Sequence, residues 1–195
     1  MATAGSISRS ASVSLSHVLT GALVGVVAAI VMAMFAMVAA ATYQGTGFFT
    51  PLYHIASSLI DPATMMRSME AAANGDAFTF SAGPAAVGVA LHLLTGAFWG
   101  AIFGLIVSTG KLNGWAGLLA GIVYGLAVML VMSFVALPVI ADVFGGGDPI
   151  SKMPRLVGWG TFAVEHALYG FVLGLWPLLK GSEARARRSV PQAAA

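Results

Sequence analysis

The sequence predicts an all-α membrane protein with four transmembrane helices, and two observations support this fold class. Hydrophobic residues make up 58% of the 195-residue chain, whereas charged residues make up 8%. Average soluble domains are about a quarter charged, so a chain this poor in charge cannot cover a water-facing surface. The nine basic and seven acidic residues are also clustered, which leaves four long apolar segments almost free of charge.

Each of the four apolar segments is long enough to cross a bilayer. They cover residues 18–41, 84–107, 115–141 and 156–179, and Glu165 is the one charged residue within them. A hydrocarbon core of about 30 Å needs about 20 apolar residues in helical form. Because lipid offers no hydrogen-bond partners, backbone groups must be satisfied within each segment, which predicts helices.

The first segment is predicted to be a retained helix rather than a cleaved signal peptide. Arg9 precedes it and the small residues Ala39–Ala41 end it, as in a secretory signal. Its apolar run is, however, about twice the length of a typical signal core. We therefore expect a cytoplasmic tail at 1–17, a four-helix domain at 18–180 and a disordered basic tail at 181–195.

The distribution of basic residues predicts that both termini lie in the cytoplasm. Six of the nine Lys and Arg residues fall on the side of the termini, and cytoplasmic loops carry such an excess. These six are Arg9, Lys111, Lys180, Arg185, Arg187 and Arg188. The localisation expected is a multi-pass position in a bacterial inner membrane, with lipid as the main partner and no nucleic-acid partner.

The long outer loop at 42–83 is predicted to contain short helices on the membrane surface. Aromatic residues cluster at 48–55, next to the first segment, where amphipathic rings favour the interface. Asp61-Pro62 has the composition of a helix start, and Asn74-Gly75 that of a helix end. The second outer loop, 142–155, is rich in glycine and is predicted to consist of turns.

Glycines spaced four residues apart predict close helix packing and an internal repeat. Residues at this spacing share a helix face, and small residues there let helix backbones approach in lipid. The glycine patterns of the first two segments recur in the last two, which predicts two similar hairpins related in parallel. Intramolecular packing is the main interpretation, and a homo-oligomer or a groove for a lipid or cofactor is the alternative. The ten glycines are Gly21, Gly25, Gly96, Gly100, Gly104, Gly117, Gly121, Gly125, Gly170 and Gly174.

Three ionisable residues at membrane depth form the candidate functional site. His92 lies about two turns into the second segment, and Glu165 and His166 about two and a half turns into the fourth. An acid in mid-membrane costs up to about 3 kcal/mol on insertion scales, so such a residue is a functional hypothesis by default. We predict that His92 and His166 occupy equivalent places in the repeat, and that Glu165 bonds to His92.

Several interpretations of this cluster stay open at the sequence level. A structural interhelical hydrogen bond is one, and a proton or ion relay is another. Haem held by His92 and His166 is a third, because bundles can place cofactor ligands on facing helices. Copper bound by thioethers is a fourth. Its candidate ligands are Met32, Met34, Met37, Met129 and Met132. His54 and His17 are interpreted as an interface residue and a boundary residue.

The chain carries no motif that names a reaction. It has no cysteine, which excludes disulfides, thiolate metal sites and a cysteine nucleophile. Hydrolase, zinc-protease and nucleotide-binding motifs are also absent from the sequence. We therefore expect a non-enzymatic membrane protein, either a small transport or permeation component or an accessory subunit. A haem-binding electron-transfer subunit is the alternative.

Several stretches resemble a family of small bacterial inner-membrane proteins. These stretches are residues 92–100, residues 124–132, the pair Leu137-Pro138 and residues 165–174. The family has four predicted helices and is defined as a domain of unknown function, and the chain is also similar in style to the YagU-like inner-membrane proteins. The resemblance covers most of residues 18–180 and implies a bacterial plasma membrane. It implies no activity, substrate or catalytic residue.

Overall fold

The computed structural model describes residues 4–110 and 112–189. All regular secondary structure in these ranges is helical. Side-chain surroundings are described for residues 15–110 and 112–181. A five-residue π-helical segment, Met132–Ala136, joins two of the helices, and no strand occurs in the described ranges. The α-helices are α1 Ala4–Ala41, α2 Thr50–Ala56, α3 Ala63–Ala73, α4 Ala82–Ser108, α5 Trp115–Val131, α6 Leu137–Phe144, α7 Gly147–Ser151, α8 Met153–Val157 and α9 Trp159–Ser189.

Four of these helical stretches are long and apolar enough to cross a membrane. They are Leu15–Ala41, Ala82–Ser108, Trp115–Phe144 and Trp159–Gly181, here called spans 1 to 4. Large apolar side chains such as Leu23, Leu94 and Val123 are more than 60% exposed along them. This exposure is the expected surface of a bundle that faces lipid, so the all-α class and the four spans are confirmed.

The start of span 4 and the end of α9 differ from the predicted boundaries. Span 4 begins at Trp159 rather than at residue 156, because Gly158 has a φ of +89° that interrupts the helix after α8. The predicted disorder of the C-terminal tail is wrong up to Ser189, since α9 continues to that residue. Residues 190–195 and 1–3 lie outside the described residues, and α1 already begins at Ala4.

The two outer connections contain more helix than the turn-rich sequence indicates. The first connection contains the short helices α2 and α3, and the Asp61 carboxylate accepts a hydrogen bond from the Ala63 N–H at 2.7 Å. Their position on the membrane surface stays a prediction. The second was predicted to consist of turns, but it contains α7 and α8. Pro149 and Pro154 fall within the first turns of these short helices, where a missing N–H costs nothing.

Glycine backbones bring spans 1 and 2 into close contact. A Cβ on Gly25 would overlap the carbonyl oxygen of Gly96 and lie 2.9 Å from the Gly100 Cα. A Cβ on Gly21 would lie 2.8 Å from the Gly104 Cα. These are backbone distances that only glycine allows, and in lipid they supply the dispersion contacts that hold helices together.

Spans 3 and 4 pack in the same way. A Cβ on Gly121 would lie 2.6 Å from the Gly174 Cα, and one on Gly125 would overlap the carbonyl oxygen of His166. Gly121 thus meets Gly170 and Gly174 as Gly25 meets Gly96 and Gly100. The equivalence of His92 and His166 stays a prediction.

The four spans pack in the spatial order 2–1–4–3. Span 1 packs on span 2, span 4 packs on span 3, and spans 1 and 4 contact each other through the centre of the bundle. Spans 2 and 3 barely meet, although the Tyr124 hydroxyl donates a 2.7 Å hydrogen bond to the Trp99 carbonyl. The end of the bundle that carries residues 42–81 is called the loop end, and the opposite end the terminal end.

We predict that adding one methyl group at a packed glycine destabilises the bundle. Gly100→Ala places a Cβ against the Gly21 carbonyl and 2.7 Å from the Gly25 Cα. Overpacking of this kind costs about 1–3 kcal/mol. Gly160→Ala is the matched control, because no atom lies within 4 Å of its Cβ position. Thermal unfolding in detergent should show a lower midpoint for Gly100→Ala alone. Equal midpoints for the two variants would contradict the packing account.

Candidate ligand-binding cavity

A cavity of about 740 Å³ lies among the four spans at the loop end of the bundle. All four spans contribute to its walls, and α2, α3 and the segment around α7 and α8 cover it. Most of the lining is apolar, and six methionines take part in it. The volume falls in the range of small-molecule sites, which are concave, mainly apolar and equipped with a few polar groups.

A tightly packed layer closes the cavity on the side of the terminal end. Phe103, Leu173 and Tyr169 are at most 3% exposed and form the centre of this layer. The Phe103 and Tyr124 rings pack with centroids 5.1 Å apart. The cavity is thus a pocket with a floor rather than a channel through the described bundle, and this floor disfavours an open proton path.

The three predicted polar residues, His92, Glu165 and His166, all line this cavity. Glu165 and His166 are each 5% exposed, and His92 is partly buried. The His92 Nε2–H donates a 2.9 Å hydrogen bond to the Ala29 carbonyl, and the His166 Nδ1–H donates a 2.8 Å bond to the Phe162 carbonyl. Since a carbonyl only accepts, each ring nitrogen in these bonds is the protonated one. The neutral rings then present His92 Nδ1 and His166 Nε2 as acceptors.

The Glu165 carboxyl has no hydrogen-bond or ion-pair partner among the side chains that the structure describes. An ion pair in those ranges joins the exposed side chains of Lys152 and Asp148 at 2.6 Å and does not involve Glu165. The predicted bond between Glu165 and His92 is wrong, because the His92 Nε2–H is committed to the Ala29 carbonyl on span 1.

The unused polar atoms of these three residues face the cavity space. Within the described ranges, Ser133 Oγ is the one fully enclosed side-chain polar atom without a partner. The Glu165 oxygens and the free nitrogens of His92 and His166 lack partners as well, yet they are not enclosed. They therefore contact the cavity, whose mainly apolar lining includes these three polar residues.

The metal and cofactor interpretations gain no support from this geometry. No group of three His, Cys, Asp or Glu residues in the described ranges could hold a metal ion. The His92 Nε2 is used on Ala29, which does not favour paired haem ligation with His166. The five methionines proposed for copper do not form one group. Met32 and Met132 line the cavity, Met129 packs against the same apolar cluster as Met132, Met37 packs against another cluster, and Met34 is 49% exposed.

The π-helical segment shapes the span 3 wall of the cavity. Pro138 lacks the N–H that would bond to the Phe134 carbonyl, and its ring would clash with that carbonyl in an α-helix. A wider π turn over Met132–Ala136 removes the clash. Such single-turn bulges occur often at functional sites. Met132 and Leu137 from this region line the cavity, and Ser133 lies buried beside them.

His54 was predicted to be a solvent or interface residue, and that prediction is wrong. It is 7% exposed, it lines the cavity, and its Nε2 donates a 2.7 Å hydrogen bond to the Pro149 carbonyl. This bond joins α2 to α7, so it ties together the two outer connections that cover the cavity. Burial lowers the pKa of His54 from its ordinary value of 6.5, and the bond to Pro149 opposes that shift in part.

Sequence reasoning also missed other lining residues that carry polar or aromatic groups. Thr95 and Trp99 lie on span 2, one and two turns beyond His92, and Tyr169 lies one turn beyond Glu165 on span 4. Helical spacing from His92 and Glu165 was the signal that could have found them. The Tyr169 hydroxyl donates a 2.7 Å bond to the Gly96 carbonyl, which joins spans 2 and 4 at the cavity floor.

The fold and the cavity define the class of the protein as a multi-pass α-helical membrane protein with a ligand-sized chamber among its spans. Comparisons of the chain with protein-family models, curated proteins and solved structures gave no match. Further conclusions about its role therefore rest on the geometry of this chamber.

We predict that the cover over the cavity loosens in acid. Because the folded pKa of His54 is lowered, a docked cover disfavours the protonated ring. The docked cover has its full stability above the ordinary histidine pKa of about 6.5. It loses that stability as the pH falls through the lower pKa of His54 in the folded protein. Hydrogen–deuterium exchange of α2 and α7 should therefore rise as the pH falls below 6.5, after correction for intrinsic exchange. His54→Gln keeps a donor for the Pro149 carbonyl but does not titrate, so its exchange should be independent of pH in that range. A pH response that persists in His54→Gln would show that another group controls the cover.

Proposed function

We propose that the protein is a small transport component or an accessory subunit of a bacterial inner membrane, and that it binds a small, mainly apolar molecule. The observation that supports this most is the 740 Å³ cavity among the four spans, with apolar walls and Glu165 facing its interior. A bundle that needed only stability would fill this volume with side chains, because protein interiors are close-packed. A chamber with apolar walls and a few polar groups has the features of a binding site.

The membrane position of the site follows from the charge distribution of the sequence. With both termini in the cytoplasm, the loop end faces outward and the cavity lies in the outer half of the bilayer. The α2 and α3 helices then lie at the outer interface. Exposed lining residues on this side include Leu59 at 51% and Met66 at 62%, and they mark an entrance beside α3. The bacterial inner membrane and the resemblance to four-helix families stay predictions, as do the hairpin repeat and assembly with itself or other subunits.

We predict that filling the cavity abolishes binding of an apolar probe. Ala36 on span 1 lines the cavity, so Ala36→Trp places an indole in the chamber. Ala90→Trp adds the same side chain on the exposed surface of span 2 and serves as the control. Equilibrium dialysis of the purified chain with naphthylmethanol, corrected for empty micelles, should show saturable binding in the parent and in Ala90→Trp. Binding in Ala36→Trp should fall by at least about tenfold.

Two results would contradict the proposed function. One is the absence of saturable binding in the parent protein. The other is equal binding in Ala36→Trp and Ala90→Trp, since the probe would then occupy a surface other than the cavity. Thermal midpoints of both variants should be recorded beside the binding curves, so that loss of the fold is not mistaken for loss of the site.

A further inference from the structure

We infer that the cavity takes an amphipathic organic cation, a protonated amine on an apolar body, with the Glu165 carboxylate as its counter-ion. The inference rests on the proposed function, because it assigns a ligand class to the same cavity. It starts from one unusual feature: a carboxyl group that is 5% exposed, lacks a partner and faces a mainly apolar chamber.

Among the side chains that the structure describes, no cationic group reaches Glu165 from the elements packed around it. The described cavity lining contains no Lys, Arg or Asp. Arg155 on α8, which packs on span 4, is exposed and absent from the lining. A buried carboxylate without a counter-ion is expensive, so the charge must be cancelled either by a proton or by a cation that enters the cavity. A cationic ligand supplies the missing partner.

The remaining titratable groups near Glu165 are acceptors or are already engaged. His92 and His166 each donate their one N–H to a backbone carbonyl, as does His54 on α2. The hydroxyls of Tyr169 and Tyr124 donate to the Gly96 and Trp99 carbonyls. In their neutral forms, these histidines and tyrosines have no N–H or O–H donor left for the Glu165 carboxylate.

The free acceptors of the lining favour an ammonium group over a hydroxyl group. The Glu165 carboxylate, His92 Nδ1 and His166 Nε2 belong to residues that line the cavity, and none of the three carries a donor of its own. A primary ammonium carries three N–H donors, whereas an alcohol carries one O–H donor. An ammonium at Glu165 also cancels the charge of the carboxylate, which an alcohol cannot do.

The cavity walls also suit the apolar body of such a cation. Trp99, Phe144, Phe162 and Tyr169 contribute aromatic surface to the lining. Aromatic faces attract cations, and the attraction strengthens where water is excluded. The methionine side chains add a flexible, polarizable surface that adapts to ligands of different shape.

Binding of the cation is then linked to loss of a proton. When the cavity is empty, a proton on the carboxyl cancels the Glu165 charge. When the ammonium binds, the O–H bond of the carboxylic acid breaks, the proton leaves to water and the carboxylate pairs with the ammonium. Protons and amines therefore compete for Glu165, and the affinity for the amine decreases as the pH falls.

The test compares two probes of nearly equal shape, naphthylmethylamine and naphthylmethanol, by equilibrium dialysis with the full chain in detergent. We expect the parent to bind the amine at least about tenfold more tightly than the alcohol, as for a desolvated charge pair. Glu165→Gln should lose that preference and keep its affinity for the alcohol. Glu70→Gln removes an exposed carboxylate of α3 and should leave both affinities unchanged. Glu165→Asp keeps the charge and should keep the preference, and it serves as a second variant if Glu165→Gln folds poorly.

The pH dependence gives an independent measurement. Over the range in which the probe amine stays protonated, its affinity for the parent should decrease as the pH is lowered, whereas that of Glu165→Gln should stay constant. Equal affinities of the parent for amine and alcohol would overturn the inference, as would an unchanged amine affinity in Glu165→Gln. In either case, loss of alcohol binding in Ala36→Trp would leave the proposed function intact. Failure of both probes to bind the parent would overturn both proposals.

Discussion

The architecture depends on the contact of glycine backbones within each pair of spans. In lipid the hydrophobic effect does not hold helices together, so close approach must supply the attraction. Gly21, Gly25 and Gly100 provide it between spans 1 and 2, and Gly121 and Gly170 between spans 3 and 4. These contacts fix the terminal half of the bundle, where Phe103 and Leu173 fill the centre. Towards the loop end the glycine contacts between spans stop, and the space between the spans becomes the cavity.

The polar chemistry of the cavity follows from the same packing. Where spans 1 and 2 lie close together, the Ala29 carbonyl comes within reach of His92 and accepts its N–H. On span 4, His166 bonds within its own helix to Phe162. Both rings thus become acceptors towards the cavity, and Glu165 receives no donor from the residues that the structure describes. The site is incomplete in a way that a small cationic ligand would complete.

Much of the fold was predictable from the sequence, because bilayer thickness and backbone hydrogen bonding determine the length and type of each span. Glycine spacing indicated the packed faces, and His92, Glu165 and His166 were found because ionisable groups are rare at that depth. Composition could not predict the partner of each group. Tertiary packing decides which carbonyl each ring reaches: the His92 ring bonds to Ala29 on span 1, whereas the His166 ring bonds to Phe162 in its own helix.

The cover of the cavity was the least predictable part. His54 lies among aromatics in a connecting loop, and its partner Pro149 is 95 residues away, so no local pattern indicates their contact. The π-helical segment was also missed, although Pro138 within a long apolar segment is the signal that predicts a distortion. In both cases tertiary packing decided a feature on which the cavity depends.

The central claim is that a chamber lies among the spans at the loop end and stops at a packed floor. The chain has no cysteine, so single-cysteine variants can be labelled without background. A water-soluble maleimide added from the outer side should label cysteines at the cavity-lining positions Ala33 and Ala36 of span 1. It should leave Val38, on the lipid-facing side, and Ala28, in the packed core, unlabelled. Equal labelling at all four positions, or protection of Ala33 and Ala36, would contradict the account.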